Sequence, residues 1–251
     1  MYTDKEKIWT DRYTVRKFSE DSREIKSQDL QYIKNIFKHI PTQCGTKSVI
    51  WLYLSDQGKD LEFRKWLIDN VYSAELNFEG KTIREYFLPV YQSPGLFLAI
   101  NSNITFIDMK DKNDYVGYQN REYEKIEYDY SRISMRNEGI YTGVLLSELL
   151  HLNYSVGTFG CTNYFGKDKE NKTKYFTNYL KENYENELKS IVNYQSNDVY
   201  DNIVFIPGTT ITFGPKGEYS STYKLEHYEN YDYVMGRKAP EHRKVSNIII
   251  K

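Results

Sequence analysis

Apolar positions along the chain alternate between short dense runs and stripes at helical spacing. Leu30, Ile33, Ile36 and Phe37 share one helical face. Ser27 just ahead predicts an N-cap, Asp29 suits the positive end of the helix dipole, and Pro41 predicts the stop. Ser48 to Leu54 (SVIWLYL) is short, β-branched and aromatic, the pattern of a strand buried on both faces. Residues 59–72 read as a helix, with Leu61, Trp66, Leu67 and Val71 set among charges. After Ser93-Pro94-Gly95, the run Leu96 to Ile100 predicts a second buried strand.

Residues 108–137 are charged and rich in tyrosine with no clear period, which predicts an exposed excursion or lid. Gly139 to Leu152 is the most apolar segment, and Glu148 is its only full charge. Such a helix is expected to be buried on nearly all sides, in a core or at a subunit interface. Ser155 to Gly160 predicts a turn and strand, and residues 167–201 one or two surface helices (Tyr175–Leu180, Glu185–Val192). Two separate strands are expected at 202–207 and 209–214, and a terminal one at Val245 to Ile250. Strands alternating with helices, without a repeat or a dividing linker, predict one α/β or α+β domain.

Composition narrows the function classes. In 251 residues, 34 Lys plus Arg stand against 35 Asp plus Glu, and no basic block occurs, so nucleic-acid binding is not expected. No apolar run approaches a membrane span, and the opening MYTDKEKIWT lacks a signal-peptide core. Cys44 and Cys161 alone cannot build a disulfide scaffold, so a cytoplasmic protein is the expectation. The 25 tyrosines rise together with Asn, Lys and Ile, as AT-rich coding produces. His39, His151, His227 and His242 show no metal-ligand spacing, and no nucleophile elbow, Walker A loop or dinucleotide fingerprint is present.

One segment carries chemistry. In Arg12-Tyr13-Thr14-Val15-Arg16-Lys17-Phe18, an extended backbone points Arg12, Thr14 and Arg16 the same way. Two guanidinium forks flanking a hydroxyl make a phosphate receptor, although a solvated basic stretch has the same composition.

This segment resembles the opening of the FMN-dependent nitroreductase family, R-x-S-x-R-x-F. Further motifs agree in order: the turn Ile40-Pro41-Thr42-Gln43 before a buried strand, Ser93-Pro94-Gly95-Leu96, the helix Asn137 to Leu152, and Gly236-Arg237-Lys238-Ala239-Pro240 ahead of the last strand. The resemblance implies an α+β fold, a nitroreductase-like mixed sheet wrapped by helices. It implies an intertwined homodimer with FMN at the interface, formed by one domain over 1–251 with a charged, Tyr-rich insertion around 101–137. By the same resemblance Arg12, Tyr13, Thr14 and Arg16 hold the phosphate and ribityl chain, with Arg237 or Lys238 completing the phosphate site. Pro41, Thr42 and Gln43 line the flavin. The backbone around Phe159 and Gly160 donates to flavin N5, and Thr158 is a further cofactor-binding residue. Gly45 and Lys47 stand where the family has Asn and Gln, and Lys47 would bring a positive charge to the flavin pyrimidine edge.

The activity so implied is an FMN-dependent oxidoreductase. NADH or NADPH reduces the flavin, and a small electron-poor acceptor such as a nitro compound or quinone reoxidises it. The unusual turn and the insertion leave two alternatives open. One is a specialised flavoenzyme of the same fold, acting in heterocycle oxidation, reductive dehalogenation or flavin fragmentation. The other is a non-catalytic binding module.

Overall fold

The computed structural model describes residues 18, 23–41, 47–70, 88–106, 123–159, 169–192, 201 and 203–215. Its elements, in chain order, are α1 (Ser27–Phe37), β1 (Lys47–Ser55), α2 (Gly58–Asn70), α3 (Leu88–Gln92), β2 (Gly95–Phe106), α4 (Tyr123–His151), β3 (Tyr154–Phe159), α5 (Lys169–Asn183), α6 (Glu185–Val192) and β4 (Phe205–Pro215). The four strands form one sheet in the order β1-β2-β4-β3. Each neighbouring pair is antiparallel. The segment 245–250, the further strand expected from the sequence, lies outside the described residues.

Strand alternation divides the apolar residues between two cores. Ile50 and Leu54 of β1, Leu96, Leu98 and Ile100 of β2, Phe159 of β3 and Phe205 of β4 meet Phe63 and Leu67 of α2, Phe176 and Leu180 of α5 and Leu188 of α6. On the other face, Phe97, Tyr154, Val156, Ile211 and Phe213 meet Ile33 of α1 and Leu145 and Leu149 of α4. The result is a three-layer α+β domain with the sheet in the middle. Gly95 permits the close stacking of this second core, since a Cβ there would lie 2.6 Å from the Phe213 ring. That ring is itself stacked on Phe97 at 5.1 Å between centroids.

Several elements differ from their sequence pattern. The N-cap of α1 is Lys26 rather than Ser27, and it makes no side-chain capping bond. The helix ends at Phe37, four residues before Pro41. Helix α4 begins at Tyr123, so 123–137 is helical where an irregular excursion was expected, and 101–106 belongs to β2. Charged and aromatic residues around the whole of that first half hide the helical period. The expected strands 202–207 and 209–214 are one strand, β4, running through Pro207 and Gly208. Within one chain, only a strip of the 139–152 segment is buried. Leu145 and Leu149 are inaccessible, whereas Gly139, Ile140 and Gly143 are exposed. Among the described residues, no helix is long and apolar enough to cross a membrane.

Two phenols fasten α1 to its neighbours. Tyr32 donates to Glu148 Oε2 of α4 at 2.8 Å, which gives the only full charge of the 139–152 segment a partner. Tyr154 of β3 donates to Asp29 Oδ2 at 2.7 Å. Burial first, and then the Asp29 carboxylate, hold the Tyr154 hydroxyl above its ordinary value of 10.0. Burial and Asp60 do the same for Tyr184. A raised folded value means that the neutral phenol is favoured by folding. The stabilisation is therefore complete below pH about 10 and is lost above it, where unfolded tyrosine ionises first. Denaturation midpoints measured from about pH 8 to about pH 11 should fall at the alkaline end, and Tyr154→Phe should flatten the fall. An equally steep fall in the variant would exclude Tyr154 as a contributor.

Candidate functional site

Chemically distinctive residues run obliquely across the sheet, from Lys47 at the start of β1, opposite Phe106, through Asn101 of β2 and Thr209 of β4 to Phe159 at the end of β3, opposite Thr210. Between β2 and β4 the register slips. Leu98 lies opposite Thr210 but Ile100 lies opposite Pro207, so β4 carries one residue more. This is a β-bulge, and it is where the donor-less Pro207 can be accommodated inside a sheet.

Bulges leave an extra backbone N–H without a ladder partner, and here a helix supplies one. Glu138 of α4, 5% exposed, accepts at Oε1 from the Thr209 N–H at 2.6 Å and from Thr209 Oγ1 at 2.5 Å. Its Oε2 accepts from Asn101 Nδ2 at 2.5 Å. An ionised carboxylate is purely an acceptor, so it suits three converging donors. The approach is close: a Cβ at Gly208 would stand 2.6 Å from Glu138 Oε2 and would push the carboxylate away from its donors.

Three of the residues singled out in the sequence lie in the described strands, on the two edges of the sheet. Lys47 is the first residue of β1, opposite Phe106, with an irregularity before Val49. Thr158 and Phe159 close β3, opposite Ile211 and Thr210. Phe159 turns its ring into the α2–α5 core, whereas Thr158 is partly exposed and by alternation faces the α4 side. Pro41 is exposed beyond the end of α1. Arg12, Tyr13, Thr14, Arg16, Thr42, Gln43, Gly45, Gly160, Arg237 and Lys238 lie outside the described residues. Sequence reasoning missed Glu138, Asn101 and Thr209 as a group. The available signals were a carboxylate at the head of the most apolar helix and a Pro-Gly pair inside an apolar run.

Where β1 ends and β2 begins, away from Lys47, a second polar centre surrounds Arg64 of α2. Its side chain is fully buried. Nη1 donates to the Ser93 carbonyl at 2.5 Å, and Nη2 donates to the Leu54 carbonyl. Nε has no partner. Burial lowers the guanidinium to about 10, opposed by the nearby carboxylates Asp56 and Asp60. Asp56 also pairs with Arg23 at 2.8 Å. Asp60 Oδ2 accepts from the Ser55 N–H and hydroxyl, each at 2.9 Å. Arg64 thus ties the end of β1 to the Ser93-Pro94 turn. Phe18 is buried beside that turn, close enough to Gly214 that a Cβ there would lie 2.8 Å from its ring. In the sequence Phe18 follows Arg16 by two residues.

No protein-family model matches the sequence, and neither does the sequence of any curated protein. Solved structures do match over the whole chain. A nitroreductase with bound FMN from Desulfitobacterium hafniense aligns with a TM-score of 0.54 at 12% identity, over 99% of this chain and 100% of its own. The ydfN protein of Bacillus subtilis aligns at 0.51 and 12% identity, with the same coverage of both chains. NfrA2 of B. megaterium aligns at 0.50 and 10% identity, over 92% of this chain and 76% of its own. Matching along the full length at this identity is a likeness of fold, and together with the three layers described above it shows that the chain has the nitroreductase fold.

Proposed function

We propose that the protein is an FMN-dependent oxidoreductase that takes electrons from NADH or NADPH and passes them to a small electron-poor acceptor, a nitro compound or quinone. The support for this reading is the nitroreductase-type sheet itself, whose two edge strands carry Lys47 on β1 and Thr158 and Phe159 on β3. The donor set there suits a planar heterocycle. β3 is an edge strand of the described sheet, its outer edge is not paired with another described strand, and Thr158 adds a partly exposed hydroxyl. Main-chain and hydroxyl groups of this kind suit the polar rim of a flavin along β3.

Bound FMN would supply the transfer of an electron pair. The chain's own residues bind and orient. Arg12, Thr14 and Arg16 hold the phosphate, Arg237 or Lys238 completes that site, and Tyr13 lies beside it. Lys47 brings a positive charge toward the pyrimidine edge, with Gly45 leaving room beside it. Pro41, Thr42 and Gln43 shape the flavin pocket from a second copy of the chain. That arrangement needs a homodimer, and the exposed Gly139, Ile140 and Gly143 of α4 offer it an apolar, uncharged surface.

The test is the absorption spectrum of freshly purified, untagged protein, followed by titration of the colourless form with FMN. Flavin bands, with FMN released on heating, are the expected result. A protein that neither contains nor takes up FMN would sink the proposal. NADH and NADPH oxidation with a nitroaromatic acceptor then reads the activity directly.

A further inference from the structure

Glu138 takes no part in the phosphate site, yet it stands between the two parts of the sheet to which the flavin reading gives contacts. It grips both central strands at once, β2 through Asn101 and β4 through Thr209. The residue after Thr209, Thr210, is paired with Phe159 at the end of β3, and Asn101 is paired with Val49, two residues from Lys47. A displacement of the bulge would therefore be felt at both.

We infer that Glu138 is a positioning residue for the flavin: its carboxylate holds the bulge at Gly208–Thr209, and through it the offset of β4 that places the end of β3 against the flavin. The inference rests on the flavin reading above. Its chemistry is specific to an acceptor at both oxygens. Glutamine would keep one acceptor for Thr209 but would turn an NH2 group toward Asn101 Nδ2, donor against donor. The converse change at residue 101 would restore the pairing, because aspartate accepts what glutamine donates. The grip is also specific to register. A slip of β4 by one residue would present Gly208 or Thr210 in place of Thr209, and would carry the sheet's side chains to the wrong face.

The experiment compares the full-length wild type with E138Q, the double variant N101D/E138Q, and T209V, which removes one hydroxyl but leaves the backbone donor. Three quantities are read: FMN affinity from flavin fluorescence, the visible spectrum of the bound flavin, and the denaturation midpoint. E138Q should bind FMN about ten-fold more weakly or worse and should shift the bound-flavin spectrum. The double variant should return to within about three-fold of wild type, and T209V should lose about three- to ten-fold. An E138Q protein that is less stable but binds FMN with wild-type affinity and spectrum would reduce Glu138 to a structural residue and overturn the inference. So would a double variant no better than E138Q. Should E138Q not fold, T209V with unchanged affinity and spectrum would overturn it as well. Wild type is measured first. Its failure to bind FMN would remove the flavin reading and this role together, whereas normal wild-type binding beside an unaffected E138Q would remove this role alone.

Discussion

Arg64→Ala should destabilise the protein by about 3–5 kcal/mol, lowering its melting temperature by roughly 10 °C. Three losses combine. The carbonyls of Leu54 and Ser93 each lose a charge-assisted donor in a site without solvent. The side chain leaves a cavity beside Phe63 and Leu67, which are fully buried on the same helix. Asp56 and Asp60 lose a nearby positive charge. Arg64→Met should recover part of the loss by filling the volume, but it cannot supply the two carbonyls. Arg64→Lys keeps a charge without the fork that spans both acceptors. Urea denaturation of the three variants orders these contributions. If Arg64→Ala lies within about 1 kcal/mol of wild type, the carbonyls have found other donors and the assignment of Arg64 as the tie is wrong.

The largest functional effect is expected at the N-terminal segment. Arg12→Ala and Arg16→Ala should each lose about 1.5–3 kcal/mol of FMN affinity, ten- to a hundred-fold, and the double variant should isolate colourless. Conversion to lysine should cost less than conversion to alanine, since the charge remains but the bidentate geometry is lost. Riboflavin, which lacks the phosphate, serves as the control. Its weaker binding should be nearly indifferent to both arginines. Unchanged FMN affinity in both alanine variants would remove the phosphate role and move the chain toward a binding module that kept the fold.

Much of the architecture was legible from the order of residues. The β-branched run at 48–54, the apolar run at 96–100 and the helical stripe at 30–37 each report a local environment, because a strand or helix with one face on a core must repeat its apolar positions at a fixed period. The same local logic placed helices at 59–72 and over 175–180 and 185–192, where α2, α5 and α6 lie. The resemblance of short motifs pointed to the fold, since those motifs fall in order along the chain. The sequence did not show that 123–137 is helical. Charges and tyrosines stand on all sides of that stretch, so no stripe marks it, and it is helical as the first half of the 29-residue α4.

Tertiary structure alone decided the polar centres. The sequence shows Pro207-Gly208 as a break, because proline has no N–H for a ladder. The sheet continues through it because a bulge takes the extra residue and Glu138 satisfies the donor left over. Arg64 reads in sequence as one more charge on a charged helix, and only the packing of α2 against β1 and the Ser93 turn makes it a buried tie. Glu138 meets Asn101 across 37 residues and Thr209 across 71. Periodicity sees neighbours a few residues apart, so it laid out the helices and strands. The pairing of a carboxylate with donors on two distant strands leaves no periodic trace, and only the folded sheet brings them within hydrogen-bond distance.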